Sequence, residues 1–366
     1  MRRVSRTVTI GGFGGIEAVG LGGSCPVVIQ TMWKDPLTRS GLEGSAGTEV
    51  AERIRRLGAM GCGLLRFAVP DIAAAETLGL LAERVSMPLS ADIHFDYRIA
   101  LRCLDFPIAK IRINPGNIGS RKRVEAVLSK AAARAVPIRI GVNAGSLPGD
   151  LRARVEDRSL DRAEALVSAA ERELGIFAEF GFDRVLVSLK ASSVADTLRA
   201  NRILAGRTDF PLHIGVTEAG PLVAGVVRNT VALYSLLEEG IGDTVRVSLS
   251  DTMENEVIAA REILGVSGAG EGRRGVEIIS CPRCGRNGFD THGFTERWRD
   301  YLYALDKRVT IAIMGCAVNG PGEARHADLG ITGAGNRVLI FRRGKVIRTV
   351  TSENADAAFR EELERL

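Results

Sequence analysis

Eight short apolar runs, each of strand length, recur along the first two-thirds of the chain with helix-forming stretches between them. The runs are VVIQTM (27–32), LLRFAV (64–69), LSADIHF (89–95), AKIRIN (109–114), PIRIGVN (137–143), RVLVSLK (184–190), LHIGVT (212–217) and TVRVSLS (244–250). Between them, SRKRVEAVLSKAAARA (120–135) opens on a serine suited to an N-cap and is rich in helix formers. SLDRAEALVSAAERELGIFAEF (159–180) carries apolar residues at helical spacing. Strands and helices that alternate at intervals of roughly 30 residues predict a (β/α)8 TIM barrel. An open doubly wound sheet is the competing architecture, disfavoured because no G-x-G-x-x-G follows the first strand. The earlier TVTIGGFGGIEAVGLGG reads as a Gly-rich hairpin covering the barrel's N-terminal face. Its glycines precede a strand and do not join a strand to a helix, so they argue weakly for a phosphate loop.

Strands of a parallel barrel are covered on both faces and should be almost wholly apolar. Five of these runs nevertheless hold a cation: Arg66, Arg112, Arg139, Lys190 and Arg246. The acidic residues of the strands, Asp92 and Glu218, are too few to neutralise them. A single such cation is usually a solvated strand-end residue, but five at similar positions point to a multiply charged anion at the C-terminal mouth, where barrels bind ligands. Arginine favours a phosphate ester, because its fork meets phosphate oxygens bidentately. Arg246 is the weakest member, since alternation lets it point outward. Asp92 and His94 alternate and share a strand face. Asn114, Asn143, Thr217 and Glu218 end their strands at the same level. A carboxylate there serves either as an acid/base or as a partner that orients arginines. The turn in RINPGNIGS offers backbone N–H groups to an anion, or is a plain turn before a capped helix. His213 starts its strand and reads as structural.

The net charge of +5 suits small anionic substrates and is too diffuse for nucleic acid. No apolar run is long enough for a membrane span, and the basic N-terminus lacks the apolar region of a secretory signal. A cytoplasmic chain is the expectation, with its six cysteines as thiols or metal ligands and not disulfides. Cys25, Cys62 and Cys103 read as small buried hydrophobes. Composition shifts to Gly, Ser and charge at GVSGAGEGRRG (265–275), which divides the chain into a barrel over 1–267 and a smaller α+β domain over 268–366. In that tail, VEIIS, VTIAIM and the hairpin RVLIFRRGKVIRTV are expected strands, with the turn at Arg343-Gly344. Residues 293–307 and 353–366 are expected helices.

The tail holds a C-x-x-C, Cys281 and Cys284, and a third thiol, Cys316. A redox dithiol wants a thioredoxin-like context that is missing. Structural zinc generally wants four protein ligands, and His292 or His326 would complete a Cys3His set. Three thiolates also hold three irons of a 4Fe–4S cube, leaving the fourth for an oxygen ligand or substrate. Spacing alone leaves zinc and cluster equally open.

Together, ADIHFDYRIAL, KIRINPGNIG, RIGVNAGSL, SLKAS, HIGVTEAG, SCPRCGR and IMGCAVNGPGEARHADLGI resemble the 4-hydroxy-3-methylbut-2-enyl diphosphate synthase family, in the same order from about Gln30 to Gly344. The resemblance implies a reductive enzyme of isoprenoid precursor biosynthesis (the methylerythritol phosphate route). It would open the ring of 2-C-methyl-D-erythritol 2,4-cyclodiphosphate and remove water. Two electrons would come singly from flavodoxin or ferredoxin through a 4Fe–4S cluster. It implies Cys281, Cys284 and Cys316 as cluster ligands, with Glu323 as a displaceable fourth. It places the diphosphate on Arg66, Arg112, Arg139 and Lys190, helped by Asn143 and Ser248. Asp92, His94, Asn114, Thr217 and Glu218 would line the same mouth, with Glu218 as acid/base. It further implies a homodimer whose active site is shared between subunits. Two stretches depart from the family pattern: Trp33-Lys34-Asp35-Pro36 after the first strand, and His326 where an acidic residue is frequent. The rival class is a barrel that binds a phosphorylated ligand and carries a structural zinc tail.

Overall fold

The computed structural model describes residues 2–114, 118–270 and 275–366. The RINPGN turn and the 265–275 linker therefore lie partly outside the described residues. The chain forms two compact units, Met1–Gly272 and Arg273–Leu366.

The first unit opens with an antiparallel hairpin, β1 (Val8–Ile10) and β2 (Val19–Leu21). Eight parallel strands follow: β3 (Val28–Met32), β4 (Cys62–Ala68), β5 (Leu89–Asp92), β6 (Lys110–Ile113), β7 (Ile138–Asn143), β8 (Val185–Lys190), β9 (His213–Ile214) and β10 (Thr244–Val245). Their order is β8-β7-β6-β5-β4-β3-β10-β9, and a parallel bridge between Val187 and Leu212 joins the two ends into a barrel. The last two strands pair over two residues each, shorter than their apolar runs suggest. The hairpin is a floor: Val8, Ile10, Ile16 and Leu21 pack on Val28, Leu64, Ala109 and Leu186 from the barrel. Each such buried side chain contributes about 1.5–3 kcal/mol relative to exposure.

Nine α-helices are described between the strands: α1 (Gly44–Ala59), α2 (Ile72–Ala82), α3 (Tyr97–Cys103), α4 (Arg121–Ala133), α5 (Gly149–Glu156), α6 (Arg162–Glu179), α7 (Val194–Arg207), α8 (Leu222–Glu238) and α9 (Met253–Val266). Several begin on side-chain caps. Asp71 accepts from Ala74 N, Asp161 from Ala163 N and Glu164 N, Ser193 from Asp196 N, and Thr252 from Asn255 N. Ser120 holds the N-cap position of α4, but its hydroxyl makes no capping bond.

The second unit is a five-stranded sheet in sequential order: β11 (Glu277–Ser280), β12 (Thr310–Met314), β13 (Leu329–Ala334), β14 (Arg337–Arg342) and β15 (Lys345–Val350). The first three are parallel and the last two antiparallel. Helices α10 (Thr291–Tyr303) and α11 (Ala355–Glu364) cover one face, where Phe294, Trp298 and Phe359 pack on Ile311, Ile331 and Ile340. Arg343 and Gly344 form the β14–β15 turn with φ of 46° and 77°, the positive values that a tight hairpin needs. The sequence reading omitted β13, whose two glycines weaken its strand signal. Gly330 is required there, because a Cβ would lie 2.1 Å from the Phe341 ring.

Candidate active site

Alternation along the barrel strands brings Arg66 from β4, Asp92 from β5, Arg112 from β6, Arg139 from β7 and Lys190 from β8 into a single buried group. Arg112 Nη1 donates to Asp92 Oδ1 at 3.1 Å, and its Nη2 donates to the Gly141 carbonyl at 3.1 Å. Arg66 Nε lies 3.5 Å from Asp92 Oδ2. Burial alone would raise the Asp92 pKa; Arg66, Arg112 and Arg139 override it and hold the carboxyl below its usual range.

Arg139 and Lys190 differ from these two arginines. Among the described residues neither has a hydrogen-bond or ion-pair partner, and Arg139 Nε is one of the buried atoms left unsatisfied. Burial pushes the proton affinity of both well down. The guanidiniums of Arg66 and Arg112 add to the effect on Arg139, and those of Arg139 and Arg246 to the effect on Lys190. Burial likewise lowers Arg66, to about 10. A desolvated cation without a partner costs several kcal/mol, in order of magnitude. The mouth is therefore poised for an anion.

Arg246, the member expected to be free to point outward, turns inward. Its Nη2 lies 3.4 Å from Glu256 Oε1 and its Nη1 3.8 Å from Met32 Sδ. Glu256, on α9, is the acidic partner that sequence reading missed. It also accepts from Thr31 Oγ1 (2.5 Å) and the Leu249 amide (3.0 Å), and forms an ion pair with Lys34 Nζ (3.0 Å). Lys34 additionally donates to the carbonyls of Leu249 and Asp251, so the unusual Trp33–Pro36 stretch is tied across to the chain after β10. Trp33 is buried and stacks on Phe67.

The remaining candidates are spread around this group. His94 is exposed, with Nε2 3.2 Å from Arg112 Nη1 and 3.6 Å from Asp92 Oδ1. Asn114 is buried just after β6, while Asn143, Thr217 and Ser248 are partly buried. Glu218 is exposed and forms no ion pair among the described residues; its φ of 52° marks a left-handed turn after β9. The carboxylates that pair with Arg66, Arg112 and Arg246 are Asp92 and Glu256. Lys110 was also missed, although it stands two residues before Arg112 and so shares its strand face. His213 is buried and structural, with Nδ1 2.6 Å from Thr244 Oγ1.

In the second unit, Cys281 directly follows β11 and Cys316 lies two residues beyond β12, its parallel neighbour. Both thiols thus sit at the same edge of the sheet. The Cys281 amide donates to Ile313 O (3.1 Å) and Gly288 N to Gly315 O (2.8 Å), which ties the C-x-x-C segment to the Cys316 segment. Cys316 is buried, Cys281 half-buried and Cys284 exposed, and all are thiols. One wide helical turn, Val318–Glu323, carries Glu323 out to solvent on the chain between β12 and β13. His326, three residues on, is exposed. Among the described residues no three His, Cys, Asp or Glu side chains converge tightly enough to hold a metal ion. The donor set itself, three thiols and a carboxylate at one sheet edge, suits iron–sulfur ligation by its chemistry.

The GcpE TIM-barrel domain family matches residues 13–261, and the GcpE protein C-terminal domain family matches residues 277–365. Three relatives share the name 4-hydroxy-3-methylbut-2-en-1-yl diphosphate synthase (flavodoxin). The protein of Treponema pallidum (strain Nichols) is 52% identical over 99% of this chain and 92% of its own. That of Treponema denticola is 48% identical over 100% and 99%. That of Thermodesulfovibrio yellowstonii is 43% identical over 99% and 99%. The two matches account for the cation-lined barrel and the thiol-bearing tail together, and at such identity over the full length the chain belongs to the GcpE family.

Proposed function

We infer that this chain is a 4-hydroxy-3-methylbut-2-enyl diphosphate synthase, a flavodoxin- or ferredoxin-dependent oxidoreductase of isoprenoid precursor biosynthesis. Its substrate is 2-C-methyl-D-erythritol 2,4-cyclodiphosphate. The observation that carries this reading, beside the family, is the pair of buried cations, Arg139 and Lys190, that have no partner among the described residues, in a barrel already rich in arginine. The cyclic diphosphate is a compact dianion. Arg139 and Lys190 receive it, while Asp92 fixes Arg66 and Arg112 at its flank. His94, through Arg112, borders the same place, and Asn114, Asn143, Thr217 and Ser248 offer amide and hydroxyl groups around the rim. His94 and Glu218 are groups able to hold or move a proton when the ring opens and water leaves, and Asp92, kept ionised by its arginines, orients the groups around it.

Cys281, Cys284 and Cys316 would hold a 4Fe–4S cluster with Glu323 as fourth ligand, and that cluster would supply electrons one at a time. We further propose a homodimer with an active site shared between subunits, working in the cytoplasm; no described helix is long and apolar enough to cross a membrane.

The test is anaerobic purification followed by iron, sulfide and zinc analysis and turnover of the cyclodiphosphate with reduced flavodoxin. About four irons and four sulfides per chain, with product formed, support the reading. One zinc, no colour and no turnover would replace it with a zinc-tailed barrel that binds a phosphorylated ligand. Mixing an Arg139→Met chain with a Cys281→Ser chain tests the shared site: recovered activity supports it, and a mixture as inactive as its parts rejects it.

A further inference from the structure

Below the arginines, the barrel interior holds a basic group that diphosphate binding alone does not explain. Lys110 is among the largest side chains in the protein with no exposure at all. Among the described residues its Nζ donates to a single acceptor, Gln30 Oε1 at 3.0 Å, and no carboxylate lies within ion-pair distance. An ammonium has three N–H donors to satisfy; an uncharged amine has two and offers a lone pair. The charged groups facing it are Arg66 on β4, Asp92 on β5, Arg139 on β7 and His213 on β9. Asp92, the one acid among them, is already taken by Arg66 and Arg112. Other polar atoms in the barrel strands are also without partners: Gln30 Nε2, Ser90 Oγ, Ser188 Oγ and His213 Nε2. The interior thus has room in its hydrogen bonding for a further proton, while the one carboxylate facing Lys110 is already shared between two arginines.

The geometry points to Lys110 as a proton-accepting member of the anion site, uncharged in the empty barrel and an ammonium once a dianion rests on the cations above it. Burial and the positive charges of Arg139 and Arg66 both disfavour a charged Lys110 in the empty protein, and an added dianion reverses the second influence. Binding and protonation are then linked: the anion draws a proton into the barrel, and the affinity falls as pH rises through the pKa of Lys110 in the complex. Lys190 and His213 experience the same field, so the assignment to Lys110 has to be made by substitution. The assignment rests on the proposed function only in the choice of ligand.

The experiment is titration calorimetry of the holoenzyme, without reductant, at one pH in buffers of different ionisation enthalpy. The probe is the cyclodiphosphate, whose two phosphoryl groups each carry one strongly acidic hydroxyl that stays ionised throughout the range, so any proton taken up goes to the protein. Wild-type protein is expected to take up about one proton per site. Lys110→Met and Lys110→Gln should bind the probe while losing most of that uptake, with folding checked by circular dichroism. A wild-type heat that does not depend on buffer overturns the proposal. So does unchanged uptake in both variants. If the cyclodiphosphate gives no heat, the substrate assignment fails by itself. Sulfate, which also does not titrate there, then carries the same two criteria for Lys110.

Discussion

Replacing Arg139 with methionine should make the empty protein more stable while disabling it. Arg139 is 2% exposed, its Nε is unsatisfied, and the charges nearest it are mostly of its own sign. Methionine keeps much of the length and removes the charge. Exchanging buried ionic groups for apolar ones of similar volume is neutral or stabilising by about 1–4 kcal/mol. The Arg139 site belongs toward the middle of that range, because no described residue pairs with the guanidinium; Asp92 loses one of its attracting cations, which offsets part of the gain. A gain of about 2 kcal/mol raises the Tm of a domain of this size by about 4–8 °C. Ligand should act in the opposite sense. Wild-type protein at a hundredfold excess over Kd gains about 2.7 kcal/mol. Loss of one charge-assisted contact of about 2 kcal/mol weakens binding roughly thirtyfold and removes most of that gain. Thermal unfolding followed by circular dichroism, at low salt with and without the cyclodiphosphate, measures both effects. A variant that melts below wild type without ligand, and gains as much from ligand, refutes the reasoning about Arg139.

Asp92→Asn should act the other way, because it removes a buried partner of Arg66 and Arg112, at a cost of about 3–5 kcal/mol. The folded pKa of Asp92 is depressed, so its stabilisation is present above the unfolded pKa of about 4 and is lost as pH falls through the lower folded value. Urea unfolding should show a constant gap between wild type and variant from neutral pH down to about 5, narrowing below about 4. Gly141→Ala adds a Cβ 2.5 Å from Arg112 Nε, which must displace the guanidinium without changing any charge. Substrate affinity should drop about tenfold, on the order of 1.4 kcal/mol, by calorimetry. An unchanged affinity would show that Arg112 can give way without cost. Cys281→Ser should lose iron and turnover while the barrel's thermal transition stays in place; iron retained at the wild-type level would remove Cys281 from the ligand set.

The barrel was legible because its strands break a rule that parallel strands otherwise keep. Apolar runs such as LLRFAV and PIRIGVN announce covered strands, and the arginine inside each announces that something polar is enclosed. Lys110 is legible by the same alternation, since it stands two residues before Arg112 on the same strand. Glu256 was not legible. It sits on α9, and only the closure of the barrel brings it to Arg246, Thr31 and Lys34, some of them more than two hundred residues away. Glu218 shows the converse limit. The strand run LHIGVT continues toward it, but the chain has already turned left-handed there and exposes the side chain. In the tail, β13 was hidden because Gly330 and Gly333 look like loop residues, while the Phe341 ring that demands Gly330 comes from the next strand.

These misses share a physical cause that also bears on how the site works. Local sequence reports what a strand or helix prefers, whereas the neutralisation of a buried charge is settled by whatever the fold brings next to it. In this barrel the fold supplies Asp92 and Glu256, which leaves Arg139 and Lys190 without a paired counter-charge among the described residues. A protein selected for stability alone would lose those charges readily, since apolar replacements are available at each position. Their presence in the barrel interior follows if the stable species is the barrel with its anion. The desolvation cost is then met before the substrate arrives, and the substrate meets oriented charges in place of water. The same imbalance that makes the empty barrel less stable than it need be becomes the driving force for binding.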